Sequence, residues 1–336
     1  MKICIVGAGA IGGYLGVKLA LAGEEVTLIA RGAHLAAIQK NGLKLIMNDG
    51  SEDIVRNLTA TEDMSEAGPQ DVVFLTLKAH SVAALAPAMQ VLYGPDTLVV
   101  TAQNGLPWWY FHKHGGVYEG YRLESVDPGG IIEANLEIDR VIGGVVYPAT
   151  TLDNPGVVRH IEGDRFSLGE LDGSKTERIK ALAQTLNRAG LKAPIRPHIR
   201  SEIWVKLWGN LAFNPISTLT RATLEEVCRY PLTRELARNM MTEAQAIAEK
   251  LGIEFGITLE QRINGAEKVG AHKTSMLQDL EAGRPTEIDA IVGAVAELGR
   301  LVKLPTPQID AVYASVKLLE RTTTSNRSVV LNMFTF

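Results

Sequence analysis

The sequence predicts an α/β domain built on a mostly parallel, doubly wound sheet, followed by an all-α domain. Three observations carry that expectation. The first half alternates short β-branched apolar runs with helical stretches. A glycine-rich turn, Gly7-Ala8-Gly9-Ala10-Ile11-Gly12, follows the first of those runs at once. Beyond Pro197 the apolar periodicity is helical. A chain of 336 residues suffices for two domains, and 46% hydrophobic with 21% charged residues supplies ample core.

Lys2–Val6 reads as a strand, Tyr14–Ala22 as a helix closed by Gly23, and Glu25–Ile29 as a second strand. A GxGxxG turn placed inside such a βαβ unit is the fingerprint of a Rossmann domain that binds a dinucleotide. Gly7 permits the tight turn, Gly9 lets a pyrophosphate approach the backbone, and Gly12 lets helix pack on strand. Ala8, Ala10 and Ile11 complete the cofactor-binding loop. The second strand ends in Ala30-Arg31-Gly32, with His34 nearby, where NAD sites place Asp or Glu. A carboxylate repels a 2′-phosphate and an Arg fork grips it, so Arg31 favours NADPH/NADP+.

Asp71–Leu77 and Thr97–Thr101 are continuous apolar runs suited to buried parallel strands. Lys78 and Asn104 follow their carboxyl ends. Each reads alone as a turn or surface residue; after consecutive strands of one sheet, both point at the ligand crevice. Leu106–Glu137 opens on Pro107-Trp108-Trp109-Tyr110-Phe111 and turns glycine-rich, which suits a lid, an interface loop or a satellite core. Strands resume at Val141–Tyr147, Gly156–Ile161 and Asp164–Gly169, the last two spaced like a hairpin, and a helix Lys175–Ala189 stops at Gly190. Pro194 and Pro197 mark a boundary. The expected domains are therefore a Rossmann NADP-binding domain over 1–197, a helical substrate domain over 198–322 and a C-terminal tail over 323–336.

The helix expected over Ile203–Pro215 is apolar nearly all round, yet Lys206, Asn210 and Asn214 recur at i, i+4 and i+8 on one face. Unpaired buried amides and ammonium groups are costly, so this stripe faces water, polar partners or a ligand-filled cleft. Further helices are expected over Thr233–Lys250, Thr258–Val269, Lys273–Ala282, Thr286–Leu298 and Pro307–Glu320, with Arg321–Phe336 frayed or packed on a partner. Ser275 lies in the first turn of the third of them, beside apolar anchors. Glu287 sits beside the N-cap candidate Thr286, where an acid also simply favours the helix dipole.

A formal charge of −4 offers no basic surplus for nucleic acid or an anionic membrane. Cys4 and Cys228 lie far apart without CxxC or zinc spacing, which points to a reduced, cytoplasmic setting without a metal. The strand that follows Met1 leaves no room for a signal peptide, and no run of apolar residues spans a bilayer.

The segments WVKLWGNLAFNP and TSMLQDLEAGRPTEID, with the N-terminal GAGAIGG and Arg31, together resemble the ketopantoate reductase (2-dehydropantoate 2-reductase) family from Met1 to about Leu319. The resemblance implies a Rossmann domain followed by an all-helical domain, and NADPH-dependent reduction of 2-dehydropantoate to (R)-pantoate for pantothenate and coenzyme A synthesis. It implies Lys206 as proton donor to the ketone oxygen and Asn210, Asn214 and Ser275 as substrate-binding residues. Asn104 would bridge cofactor and substrate, Lys78 would lie by the cofactor, and Glu287 would support both. A homodimer is expected from family habit and the apolar tail. Three departures stand out: Thr274 in place of Ser, Leu224 in place of a substrate-binding Asn, and a long aromatic 106–137 stretch. Two other readings remain: a paralogous NADPH-dependent reductase of another branched 2-oxo acid, and a non-catalytic NADPH-binding sensor.

Overall fold

The computed structural model describes the backbone of residues 1–333 and the side chains of residues 1–323. The chain packs as two compact units, Met1–Arg122 with Asp127–Glu202, and Leu123–Val126 with Ile203–Phe336.

The first unit starts as its apolar runs dictate: β1 (Lys2–Val6), α1 (Ala10–Leu21) and β2 (Glu25–Ile29), with both strands buried after their first residue. Then come α2 (Gly32–Asn41), β3 (Leu43–Ile46), β4 (Glu52–Val55), β5 (Thr59–Thr61), β6 (Gln70–Leu75), α3 (Ala79–Leu85) and β7 (Tyr93–Thr101). After α4 (Ile131–Asn135) follow β8 (Val141–Val146), β9 (Ala149–Asn154), β10 (Val157–Glu162), β11 (Phe166–Gly169) and α5 (Glu177–Arg188). A seven-stranded sheet has the order β11-β8-β7-β6-β1-β2-β5, parallel except for the antiparallel edge pair β8/β11. β1 lies between β6 and β2, which is the point where the strand order reverses.

The expected hairpin is not there. β10 pairs with β9 and β3 in a second, four-stranded sheet ordered β4-β3-β10-β9, whereas β11 joins the large sheet beside β8. The turn spacing alone suggested adjacent strands, but sheet membership is decided by distant partners. The two sheets enclose α1, and this explains why that helix is apolar on both faces. A Cβ on Gly13 would stand 2.7 Å from Val158 of the small sheet, and one on Gly16 would stand 2.8 Å from Leu28 of the large one. Small residues on α1 therefore let both sheets close onto it.

Within Leu106–Glu137 the aromatic run is core. Trp108, Trp109, Tyr110 and Phe111 are buried, Trp109 Nε1 donates to Thr101 Oγ1 at 2.8 Å, and Arg200 Nε donates to the Tyr110 carbonyl at 2.8 Å. This run is a satellite core of the first unit, whereas residues 123–126 belong to the second.

The second unit takes most of α6 (Ile199–Thr220), a single helix with Pro215 inside it, then α7 (Leu224–Arg229), α8 (Pro231–Lys250), α9 (Leu259–Glu267) and α10 (Ser275–Glu281). A π-helical turn, Asp289–Gly293, leads into α11 (Ala294–Val302), so that helix starts later than expected and runs past Gly299. α12 (Pro307–Met333) continues well beyond Glu320, where the expected helix stopped; residues 334–336 lie outside the described residues. Residues 123–126 belong here because Glu297 of α11 holds them, accepting from Glu124 N at 3.0 Å, Ser125 N at 2.9 Å and Ser125 Oγ at 2.6 Å. Among the described residues no helix is long and apolar enough to cross a membrane.

Candidate active site

The carboxyl edge of the large sheet gathers the segments expected to bind the cofactor. Val6, Ile29 and Leu75 are in register, as are Leu75 and Thr101, so the segments after β1, β2, β6 and β7 all emerge at one edge. Gly7 has φ +106, and the Gly7 and Ala8 amides both donate to the Ile29 carbonyl, at 3.2 and 3.1 Å. Gly9 is the N-cap of α1, which Ala10 and Ile11 begin. The three glycines of the fingerprint then differ. A Cβ on Gly12 would stand 2.1 Å from the Gly7 carbonyl oxygen and one on Gly7 would stand 2.9 Å from Leu77 Cδ2, but one on Gly9 meets nothing within 4 Å. Two glycines are closed off by protein, and the third leaves open space at a helix N-terminus, where first-turn amides and the dipole favour an anion. The loop therefore fits a pyrophosphate.

Arg31 is exposed as the N-cap of α2. Lys78 is the half-buried N-cap of α3, and Asn104 is half-buried three residues after β7. The neighbouring Gln103 Nε2 donates to the Leu75 carbonyl at 2.7 Å, tying that turn to the sheet edge. His34 has another task. Its Nδ1 accepts from Gly156 N–H at 2.9 Å, so Nε2 carries the proton and donates to the Ala8 carbonyl at 2.7 Å. Burial pushes its pKa down and outweighs the Ala8 bond, keeping the ring neutral.

The second unit holds most of the residues expected to bind substrate. α6 is sealed by Trp204, Leu207, Trp208 and Leu211, with Trp208 Nε1 donating to the Met241 carbonyl at 2.7 Å. Lys206 and Asn210 are half-buried, and Asn214 is only 6% exposed. The stripe is thus not a solvated edge. Ser275 is exposed as the first residue of α10, and Thr274 caps that helix by accepting from Leu277 N at 3.4 Å. Thr in place of Ser keeps the capping hydroxyl. Leu224 opens α7 as a half-buried apolar side chain, its amide donating to the His272 carbonyl at 2.8 Å. Glu287 is 5% exposed, two residues before the π-helical turn, at the start of the helical run.

Models of two parts of a protein family match the chain, "Ketopantoate reductase PanE/ApbA" over residues 3–110 and "Ketopantoate reductase PanE/ApbA C terminal" over 198–320. The chain belongs to the ketopantoate reductase family. It is similar to the 2-dehydropantoate 2-reductase of Mesorhizobium japonicum, at 59% identity over 320 residues that cover 95% of this chain and 98% of that one. A crystal structure of a candidate ketopantoate reductase from Ralstonia solanacearum is 43% identical, with TM-score 0.91 and coverage of 96% of this chain and 98% of the other. D-mandelate dehydrogenase, solved with NADH and anilino(oxo)acetate, is 27% identical with TM-score 0.82 over 96% and 99% of the two chains. As a member of that family the chain is an oxidoreductase acting on a CH–OH group, with a nicotinamide cofactor.

Some residues of the family framework escape sequence reading. Thr76 Oγ1 donates to the Gly7 carbonyl at 2.7 Å and braces the glycine loop, with no more signal than its place behind an apolar run. The His34 link to Gly156 spans 122 positions, beyond any local pattern. Both cysteines are buried, and burial pushes the Cys4 thiol to about 12 and the Cys228 thiol to about 11, which leaves them inert. Among the described residues no cluster of His, Cys, Asp or Glu could hold a metal ion.

Proposed function

We propose that this chain reduces 2-dehydropantoate to (R)-pantoate with NADPH, for pantothenate and coenzyme A synthesis. The observation that carries the reading is α6. Lys206, Asn210 and Asn214 form one polar stripe on a helix whose middle is otherwise mostly buried, in a chain 59% identical to a 2-dehydropantoate 2-reductase. In this reading residues 1–197 bind NADP and 198–322 bind substrate. Gly7, Ala8, Gly9, Ala10, Ile11 and Gly12 hold the pyrophosphate, Arg31 the 2′-phosphate, and Lys78 and Asn104 the remainder of the cofactor. The nicotinamide, when bound, supplies the hydride.

The protein's own residues do the rest. The Lys206 ammonium holds a proton at the ketone oxygen and stabilises the negative charge that grows there. Asn210, Asn214 and Ser275 orient carboxylate and hydroxyl without adding charge, and Asn104 bridges substrate and cofactor. Glu287 supplies a buried acceptor that fixes donors of cofactor and substrate. The assembly proposed is a homodimer in the cytoplasm.

The test is NADPH oxidation with 2-dehydropantoate against a panel of branched and aromatic 2-oxo acids. Fast turnover of 2-dehydropantoate that Lys206→Ala abolishes, with NADPH affinity kept, is the expected result; equal losses in both would sink Lys206 as the acid. A second reading, reduction of a different 2-oxo acid, is favoured by the apolar, half-buried Leu224 and by the similarity to D-mandelate dehydrogenase. Turnover of another acid in preference would select it. Tight NADPH binding without turnover of any acid would leave a non-catalytic sensor.

A further inference from the structure

One face of α12 grips both flanks of Glu287. Tyr313 Oη donates to Asp289 Oδ1 at 2.6 Å, and Lys317 Nζ donates to Asp289 Oδ2 at 2.9 Å. On the other flank the Thr286 amide donates to Glu320 Oε1 at 2.8 Å. Tyr313, Lys317 and Glu320 recur at i, i+4 and i+7, so a single stripe makes all three contacts. Gly293 ends the π-helical turn and makes room for the same tyrosine, whose Cε2 lies 3.0 Å from where a Cβ would stand. Every residue involved belongs to the second unit.

A π-helical turn is rare and persists where its surroundings over-determine it. It fits one more residue into the turn than an α-helix does, and this shifts the register of everything before it. The position of the Glu287 carboxylate is therefore set by what holds residues 286–293, not by α11 alone. Asp289 is the pin in that turn. Lys317 matches its charge, and Tyr313 satisfies its other oxygen. Burial, then the bond to Asp289, pushes the Tyr313 phenol well above its usual range, so it stays a donor.

We propose that Tyr313, Lys317 and Glu320 are positioning residues for the reduction, acting through Asp289 and Thr286 to hold the Glu287 carboxylate where cofactor and substrate meet it. The inference rests on the role given to Glu287 above. The experiment compares Tyr313→Phe, Glu287→Gln and the double variant by initial rates of NADPH oxidation and by thermal unfolding. Tyr313→Phe should lower kcat on the order of tenfold with a smaller change in KM, as misplacement of a working group does. In the Glu287→Gln background the same substitution should change kcat by about twofold or less, because the group it positions has lost its charge. Its effect on Tm should be the same in both backgrounds. Losses in kcat that simply multiply would overturn the positioning role while leaving Glu287 its own. Full turnover by Glu287→Gln would overturn the role of Glu287 and this inference together. Lys317→Met, at an exposed position, makes the same comparison if Tyr313→Phe does not fold.

Discussion

Two glycines of one motif should fail in opposite ways. The Gly12 Cβ position lies 2.1 Å from the Gly7 carbonyl oxygen and 2.6 Å from Thr76 Oγ1. Carbon and carbonyl oxygen normally stop at about 3.3 Å, so Gly12→Ala is about 1 Å short of room. The carbonyl cannot yield easily, since Thr76 Oγ1 donates to it at 2.7 Å and the Thr76 amide anchors to Val6 at 3.1 Å. Overpacking against backbone of this kind costs up to about 3 kcal/mol, and the better helix propensity of Ala returns about 1. A net loss of about 2 kcal/mol corresponds to a Tm lower by roughly 3 °C in a chain of this size. Gly9→Ala meets nothing within 4 Å, and its φ of −67° suits alanine. Poorer capping should cost it about 1 kcal/mol at most. Its methyl group fills the space left for the pyrophosphate, however, and should weaken NADPH binding by about tenfold or more, which is about 1.4 kcal/mol. Thermal unfolding by circular dichroism and NADPH titration by calorimetry read the two effects separately. Equal Tm losses, or unchanged NADPH affinity in Gly9→Ala, would refute the assignment of closed and open glycines.

Arg31→Asp should lower the preference for NADPH over NADH in kcat/KM on the order of 100-fold, by removing charge-assisted bonds to the 2′-phosphate and adding repulsion; an unchanged ratio would mean that another group holds that phosphate. Glu297 is 9% exposed and accepts three hydrogen bonds from Glu124 and Ser125, so Glu297→Ala leaves two amides and a hydroxyl without their acceptor. Each costs about 1 kcal/mol or more. Hydrogen exchange at the Glu124 and Ser125 amides should quicken sharply, and retained protection would contradict this. His34 titrates below its ordinary 6.5 in the folded chain, so the unfolded chain binds the extra proton first. Stability should therefore fall as pH drops below about 6.5, level off below the folded pKa, and be fully present at higher pH. Protonation also sets two donors, Nδ1–H and the Gly156 amide, against each other. Thermal unfolding across pH should show a shallower acid slope in His34→Asn, and identical slopes would remove His34 from the account.

What the sequence by itself determined is what neighbouring residues decide together. β1 and β2 fall on the expected residues, Lys2–Val6 and Glu25–Ile29, because strands buried on both faces need continuous apolar runs and the glycine turn between them is a local requirement. The polar stripe on α6 is equally local, since helical periodicity alone brings Lys206, Asn210 and Asn214 together. Tertiary structure decided the rest. β10 turns back on β9 across Pro155-Gly156, but its pairing with β3 joins residues about a hundred positions apart, and no local signal records that choice. An acid at a helix start reads alike whether it is solvated or buried; only tertiary packing puts Glu287 out of water. The aromatic run after Asn104 was open to several readings for the same reason, and it became core because Thr101 and Arg200 meet its polar atoms. Side-chain chemistry and period act over a few residues, whereas burial and sheet partnership depend on the whole chain closing on itself.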